Sequence, residues 1–383
     1  MDICLVSKMF PPDVGGAETY AYELSNTLGR AGHNVDVFTM EAATDGEIDV
    51  HENVSVTRLM KRRRLVTVDT VLFSIVARRK IDFDAYDVVH GTLMPASTVA
   101  FTPGFGMADV PLVVTSHGTS VGEMRSSDPH TYEDYLMKYV FHPMNIVLDS
   151  IAGRFADRII AISDHTQEQL VDTYRFDSDR VSMIPHGVDN ERFHPDAGPH
   201  PAPDSEKFTL LYVGRLGPRK GVDLAIESFA ALDRPDVELL IAGTGRHEDR
   251  LRNLASELGV SNRVRFLGFV PDDELPALYA SSDLFVLLSS YEGYGLVLLE
   301  SMACGTPVVA SRAGGITTVV DGKSGALVSR EIGDIIDSID SFIEDNDHHL
   351  EATSAAQTRA TELDWNEVAD RVIDEYVHTE VGQ

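Results

Sequence analysis

Cysteine is nearly absent: Cys4 and Cys304, both in apolar context, are the only two in 383 residues. No disulfide framework follows, and the chain reads as a protein of a reducing cytoplasm. Lysine is scarce as well, with 7 Lys and 25 Arg against 37 Asp and 24 Glu, for a formal net charge of −29. So negative a chain lacks the basic footprint that general DNA or RNA binding requires. No apolar run approaches the ~18–20 residues that span a bilayer. The N-terminus, MDICLVSKMF, carries an acid at position 2 and reads as a first strand, not a signal peptide.

What is present is globular: 43% hydrophobic and 24% charged residues, in a length that suggests two domains at roughly 100–200 residues each. The excess of acid resembles that of proteins from salt-loving organisms such as halophilic archaea, where salt screens the self-repulsion. One stretch departs from it. Residues 61–80, KRRRLVTVDTVLFSIVARRK, hold seven basic residues and one acid, +6 in all, which leaves −35 for the rest.

Apolar strand-like runs alternate with amphipathic helical stretches, the pattern of parallel α/β sheets covered by helices. The first half offers ICLVS, VDVFT, VSVTRL, DVVHG, PLVVTS, RIIAIS and RVSMIP, with helices expected at 16–31, 131–153 and 164–175 among others. Four prolines and no periodicity over 190–207 suggest an interdomain linker. The alternation then restarts with FTLLYVG, VELLIAG, RVRFLG, DLFVLLS, PVVAS and ALVS. The expected domains are 1–190, a linker 191–207, a second domain 208–360, and a C-terminal helical segment 361–383. Two doubly wound domains facing each other would place strand C-terminal ends on both sides of one cleft, where such sheets bind ligands.

Four segments at strand ends carry polar or glycine chemistry. Gly15 and Gly16 follow the first strand and open a helix, a ready anion site, without the G-x-G-x-x-G of a dinucleotide fold. His117 of Ser116-His117-Gly118-Thr119 ends the strand PLVVT and faces a ligand crevice if the topology is doubly wound. In GRLGPRKG, Arg215 and Lys220 precede a helix, and two cations beside a helix N-terminus suit a multiply charged phosphate. In SSYEGYGLVLLESMACGTPVVAS, Glu292 stands in a Gly293-Tyr294-Gly295 turn and Glu300 lies eight residues on, inside the helix that begins there. A ligand across that helix start would meet one carboxylate on each side of its phosphates. No metal spacing is found among the histidines. Three D-x-D triplets, at Asp82, Asp177 and Asp345, match what chance yields in a chain rich in aspartate, so no metal site is expected.

The set PPDVGGAETY, SHGT, IPHGVDNERFHP, GRLGPRKG, EGYGLVLLESMACGTPVVAS, AGGITTVVDGKSGALV and a final Trp-containing helix resembles the family-4 retaining glycosyltransferases of GT-B fold, over nearly the whole chain and in the family's order. The resemblance implies two Rossmann-like domains, with a nucleotide-sugar donor held mainly by the second. It implies that Arg215 and Lys220 clamp the donor diphosphate and that Glu292 holds the sugar hydroxyls. It places the amides of Tyr294, Gly295 and Leu296 on sugar or phosphate, and Glu300 on the ribose. Gly15 and Gly16 would close over the diphosphate, His117 would contact the sugar near the reacting carbon, and the helix of Trp365 would return to the first domain. Thr318 stands where the family often has Glu, which removes any contact assigned to that glutamate.

A cationic clamp makes a metal unnecessary, so a metal-independent, hexosyltransferase-type enzyme is expected. No cofactor is implied; the co-substrate would be a UDP- or GDP-linked sugar, and the acceptor a glycan or lipid-linked hydroxyl. The 66–79 pattern fits a basic amphipathic helix, which suggests an anionic membrane surface as partner and a peripheral place on the inner face of the cell membrane. Two other readings share the architecture: a nucleotide-sugar epimerase, whose acid/base set is not found, and a degenerate nucleotide-sugar-binding protein, which should lack Arg215, Lys220 or Glu292.

Overall fold

The apolar runs are strands. The computed structural model describes residues 1–12, 15–42, 48–62, 66–92, 110–126, 129 and 132–380. The strands are β1 (Asp2–Val6), β2 (Asn34–Thr39), β3 (Val54–Arg58), β4 (Val88–Gly91), β5 (Leu112–Ser116), β6 (Arg158–Ala161), β7 (Val181–Met183), β8 (Phe208–Val213), β9 (Val237–Ala242), β10 (Val264–Gly268), β11 (Leu284–Leu287), β12 (Val308–Ser311) and β13 (Gly325–Val328). The chain forms two units: Met1–His186 with Trp365–Gln383, and Gly187–Asp364.

The first unit's sheet has the order β3-β2-β1-β4-β5-β6-β7, and the second's β10-β9-β8-β11-β12-β13. Among the described residues every strand pairing is parallel, as with Leu5 opposite both Val37 and His90. Each sheet builds outward from its first strand, then returns to that strand's other side. The order therefore reverses between β1 and β4 and again between β8 and β11. Ligands of open α/β sheets sit outside the strand C-termini at such a reversal.

Being central, β1 is buried on both faces, which is why it reads as an unbroken apolar run. Ile3 and Leu5 pack with Tyr20, Leu24 and Leu28 of the Gly16–Arg30 helix. Cys4 and Val6 face the other way, onto Phe73 and Ala77 of the Val66–Lys80 helix and Ala152 of the His142–Phe155 helix. Cys4 and Cys304 are both free and buried.

The Trp365–Glu380 helix belongs to the first unit although it follows the second in sequence. Trp365, Val368, Val372 and Tyr376 lie on the Ile3/Leu5 face of the sheet. The stretch 191–207 is not a free tether, for it is built into the second unit. Arg192 donates to the Asp272 carbonyl at 2.6 Å, Phe193 is buried, and the Asp204 amide donates to Glu238 Oε1 at 2.7 Å.

Two D-x-D triplets are explained by helix starts. Asp177 accepts from the Asp179 amide, and Asp345 from the amides of Asp347 and His348. The basic helix forms where the sequence suggests it, but Phe73 and Ala77 are fully buried in the core. Those two apolar positions are thus not available to a membrane. Arg63, Arg64 and the side chains of Val66 and Val68 lie outside the described residues.

Tyr376 Oη meets His90 Nδ1 at 2.6 Å, 286 residues apart and fully buried. Tyr376→Phe strands that imidazole nitrogen without shrinking the ring. The expected outcome is a loss of about 1–3 kcal/mol in urea unfolding with the slope unchanged. A change within error would mean that the contact carries no net stability.

Candidate active site

The second unit gathers charge at its strand reversal. After β8 the chain makes a short 3-10 turn, Pro218–Lys220, closed by Gly221 with φ +66°. A Cβ at Gly221 would stand 2.0 Å from the Leu288 carbonyl oxygen, so only glycine lets this turn lie against the end of β11. That approach delivers Lys220. Its Nζ donates to Glu292 Oε1 at 2.6 Å, and Ser289 Oγ donates to the same oxygen at 2.7 Å. The two charged side chains are only 19% and 12% exposed.

Three loops hold this pair. The Ser290 amide donates to the Arg219 carbonyl at 2.8 Å, tying the β11 loop to the β8 turn. Ser311 Oγ donates to the Ser289 carbonyl at 2.5 Å, and the Gly315 amide to the Glu292 carbonyl at 2.8 Å, both from the β12 side. Gly314, at φ +59°, packs so tightly that a Cβ would lie 2.2 Å from the Glu292 carbonyl oxygen.

The Leu296–Ala303 helix starts four residues beyond Glu292, capped by Gly295. The first amides of a helix have no partner within it and carry its positive pole. Tyr294 buries its ring, 3% exposed, so its backbone is what it offers at this turn. On the same helix, Glu300 accepts a 2.9 Å hydrogen bond from Tyr279 Oη. Burial raises the Glu300 carboxyl above its ordinary range, and the Tyr279 hydrogen bond opposes that rise. Arg215 leaves β8 with its side chain exposed, and its carbonyl accepts from Tyr212 Oη at 3.0 Å.

The structure thus joins Lys220 to Glu292 directly, which the sequence does not suggest. Ser289, Gly314 and Tyr279 also escaped the sequence reading. Ser289 was the marked strand end, but nothing local signals that its hydroxyl turns back to a carboxylate three residues on.

The first unit has a different chemistry at its strand ends. Gly15 caps the Gly16–Arg30 helix, its carbonyl accepting from the Thr19 amide at 2.9 Å. His117, just past β5, is joined to His186, past β7, through Nδ1 and Nε2 at 3.1 Å. His90 on β4 connects through Nε2 to Thr115 Oγ1 at 2.8 Å, and Tyr20 Oη reaches that same hydroxyl at 3.1 Å. The Tyr20 ring lies 4.8 Å from His117, 4.9 Å from His186 and 5.8 Å from Trp365. Burial is the main cause that keeps these imidazoles neutral. It lowers His90 to about 3 and His117 to about 4, and takes His186 well below its usual value, with repulsion from His117 adding to the shifts of the other two. Sequence reasoning found His117 alone. The signal for His186 was its matching place at a strand end, in IPHG.

Among the described residues no group of three His, Cys, Asp or Glu is arranged to hold a metal ion.

Two doubly wound parallel-sheet units fit the GT-B fold of glycosyltransferases, and comparison with known proteins agrees. Residues 14–192 match the family model "Glycosyltransferase Family 4", and residues 198–359 match "Glycosyl transferases group 1". The D-inositol 3-phosphate glycosyltransferase of Frankia alni is 30% identical, over 96% of this chain and 95% of its own. The chain belongs to the group 1 and family 4 glycosyltransferases. Among solved structures, sucrose-phosphate synthase from Thermosynechococcus elongatus shares the fold with TM-score 0.86, 22% identity and full coverage of both chains. Anabaena Alr3699/HepE in complex with UDP and glucose does so with TM-score 0.74, 23% identity and 98% of each chain.

The buried imidazoles make stability depend on pH. Their folded pKa values lie below the ordinary 6.5, so the unfolded chain binds more protons between that value and about 4 or 3. Their contribution is complete above pH 6.5 and declines as pH falls through that window. In urea unfolding between pH 6 and 4.5, His90→Gln should lower the slope of stability against pH by about 1.4 kcal/mol per unit. An unchanged slope would show that His90 is protonated in the folded protein.

Proposed function

We propose that this glycosyltransferase moves a sugar from a nucleoside-diphosphate donor to an acceptor hydroxyl, with retention of anomeric configuration and without a metal. The observation that carries this reading is Lys220 held by Glu292 beside the start of the Leu296–Ala303 helix. A donor diphosphate is a double anion, and an ammonium next to a helix N-terminus is the complement such a group needs. The UDP and glucose bound to a protein of the same fold support a UDP-linked donor; a GDP-linked sugar fits the phosphate chemistry equally.

Breaking the anomeric C–O bond leaves positive charge on the sugar and negative charge on the departing diphosphate. Lys220, with Arg215 five residues earlier, stabilises that second charge as it grows, so it lowers the transition state more than the ground state. The Glu292 carboxylate orients the ammonium and takes sugar hydroxyls on its other lone pairs. Glu300, held by Tyr279, takes the ribose hydroxyls. The acceptor oxygen attacks from the leaving-group side and its proton passes to the leaving phosphate oxygen. The new bond then lies on the face of the old one, and no pair of catalytic carboxylates is required. His117, Gly15 and Gly16 keep the sugar and diphosphate roles that the family resemblance assigns them.

Labelled UDP- and GDP-sugars, incubated with the protein and candidate hydroxyl acceptors, test this reading. Lys220→Ala and Glu292→Ala should each lower kcat/KM by about 10²–10³. Activity should survive EDTA, and the product anomer by proton NMR should match the donor's. Loss of activity in EDTA that ionic-strength controls do not restore would refute metal independence; an inverted product would refute retention.

A further inference from the structure

The loop that carries His117 is held by buried polar groups that have so far been given no role. His117-Gly118-Thr119 runs from β5 into the helix Ser120–Ser126. Thr119 Oγ1 accepts from the Gly122 amide at 3.0 Å and donates to Gln169 Oε1. One residue on, the Ser120 amide donates to Asp149 Oδ2 at 3.3 Å, and Tyr174 Oη donates to the same oxygen at 2.8 Å. Asp149 lies on the His142–Phe155 helix and is 4% exposed. Two successive residues of the loop are thus bonded to two different elements. The His117 ring is bonded elsewhere, to His186.

A local departure from α geometry makes this grip possible. The helix Asp164–Glu168 widens into a π turn, Gln169–Thr173, whose closing bond runs from the Tyr174 amide to the Gln169 carbonyl at 3.1 Å. Residues five apart in an α-helix diverge by about 140°, at 3.6 residues per turn. An i→i+5 turn brings them to one side, so Gln169 meets Thr119 while Tyr174 meets Asp149. Gln169 is itself fixed by His165, Nε2 to Nε2, at 2.8 Å.

Asp149 is costly to keep in this place. Its second oxygen, Oδ1, is buried and has no hydrogen-bond partner among the described residues. Burial, with a smaller push from the like charge of Glu123, raises the carboxyl to about 6, against the bonds from Ser120 and Tyr174. It is therefore ionised at neutral pH, where its bonds are about twice as strong as those of a neutral acceptor. An apolar side chain would serve packing as well. A carboxylate adds direction, because it fixes the amide that ends the His117 loop.

We propose that Asp149 is a positioning residue for sugar transfer: with Tyr174 and Gln169 it sets the His117 loop, and so the place of the imidazole. The inference rests on the sugar contact given to His117 in the proposed function. A shift of about 1 Å in a group that orients a substrate costs on the order of 100-fold in rate, so a loop in this position needs a rigid support.

Two measurements on the full chain test it together. Hydrogen exchange read by mass spectrometry should show the Ser120 amide exchanging about 10- to 100-fold faster in Asp149→Ala, with β9 peptides of the second unit unchanged. Asp149→Asn keeps a carbonyl oxygen for the same two bonds and should recover most of that protection. In transfer assays Asp149→Ala should lower kcat/KM by about 10- to 100-fold, while UDP affinity by calorimetry stays within about twofold. Added to His117→Ala, the same substitution should cost less than about twofold more, because the two act as one unit. Circular dichroism checks folding, and if Asp149→Ala does not fold, Tyr174→Phe decides by the same readings. Exchange as slow as in the natural protein, or losses from Asp149→Ala and His117→Ala that multiply in the double variant, overturns the proposal. If no nucleotide sugar is turned over, the donor reading fails, and the exchange rate alone decides whether Asp149 holds the loop.

Discussion

The second unit is organised around one ion pair. Lys220 and Glu292 are 72 residues apart and come from loops after different strands, yet they meet at 2.6 Å with little solvent around them. A pair so buried is a constraint more than a source of stability. Its desolvation offsets much of its attraction, whereas loss of one partner costs about 3–5 kcal/mol because the other charge is left uncompensated. The surrounding structure follows from keeping it intact: Gly221 permits the approach of one loop, Gly314 that of another, and Ser289 takes up a lone pair of the carboxylate. In an acidic chain this also holds a cation at a strand reversal, with its counter-charge already in position.

The first unit lines its strand ends with imidazoles, beside a buried Lys8 that follows β1. His90, His117 and His186 stand at the ends of three strands, neutral because they are buried, and pack around Tyr20. The Trp365–Glu380 helix is fastened there through Trp365 and Tyr376.

Much of the fold was legible. Central parallel strands, buried on both faces, are unbroken apolar runs such as Ile3-Cys4-Leu5-Val6, whereas β2, β3 and β10 alternate along their length. The positions of Glu292, Lys220 and His117 were also legible, because each follows such a run and is next to a glycine. Their partners were not. Ser289, Tyr279 and His186 act through contacts that exist only once distant loops converge, and no local pattern records them. The basic helix shows the complementary limit. The helix itself was legible, but periodicity does not say whether an apolar side chain meets a core or a membrane; Phe73 meets the core. The proline-rich stretch after Asn190 reads as an interdomain linker, and its anchors, Asp272 and Glu238, do not show locally because they lie far along the chain.

The central claim is that the Lys220–Glu292 pair receives a diphosphate. Calorimetric titration of UDP and GDP, against uridine and guanosine, tests it most directly when done in EDTA. The double variant Lys220→Met with Glu292→Gln keeps the shape and removes both charges. The diphosphates should bind the natural protein without divalent cations and the double variant about 10- to 100-fold more weakly, with the nucleosides unaffected. Equal diphosphate affinity in the two proteins, or binding to the natural protein only when a divalent cation is added, would contradict the account.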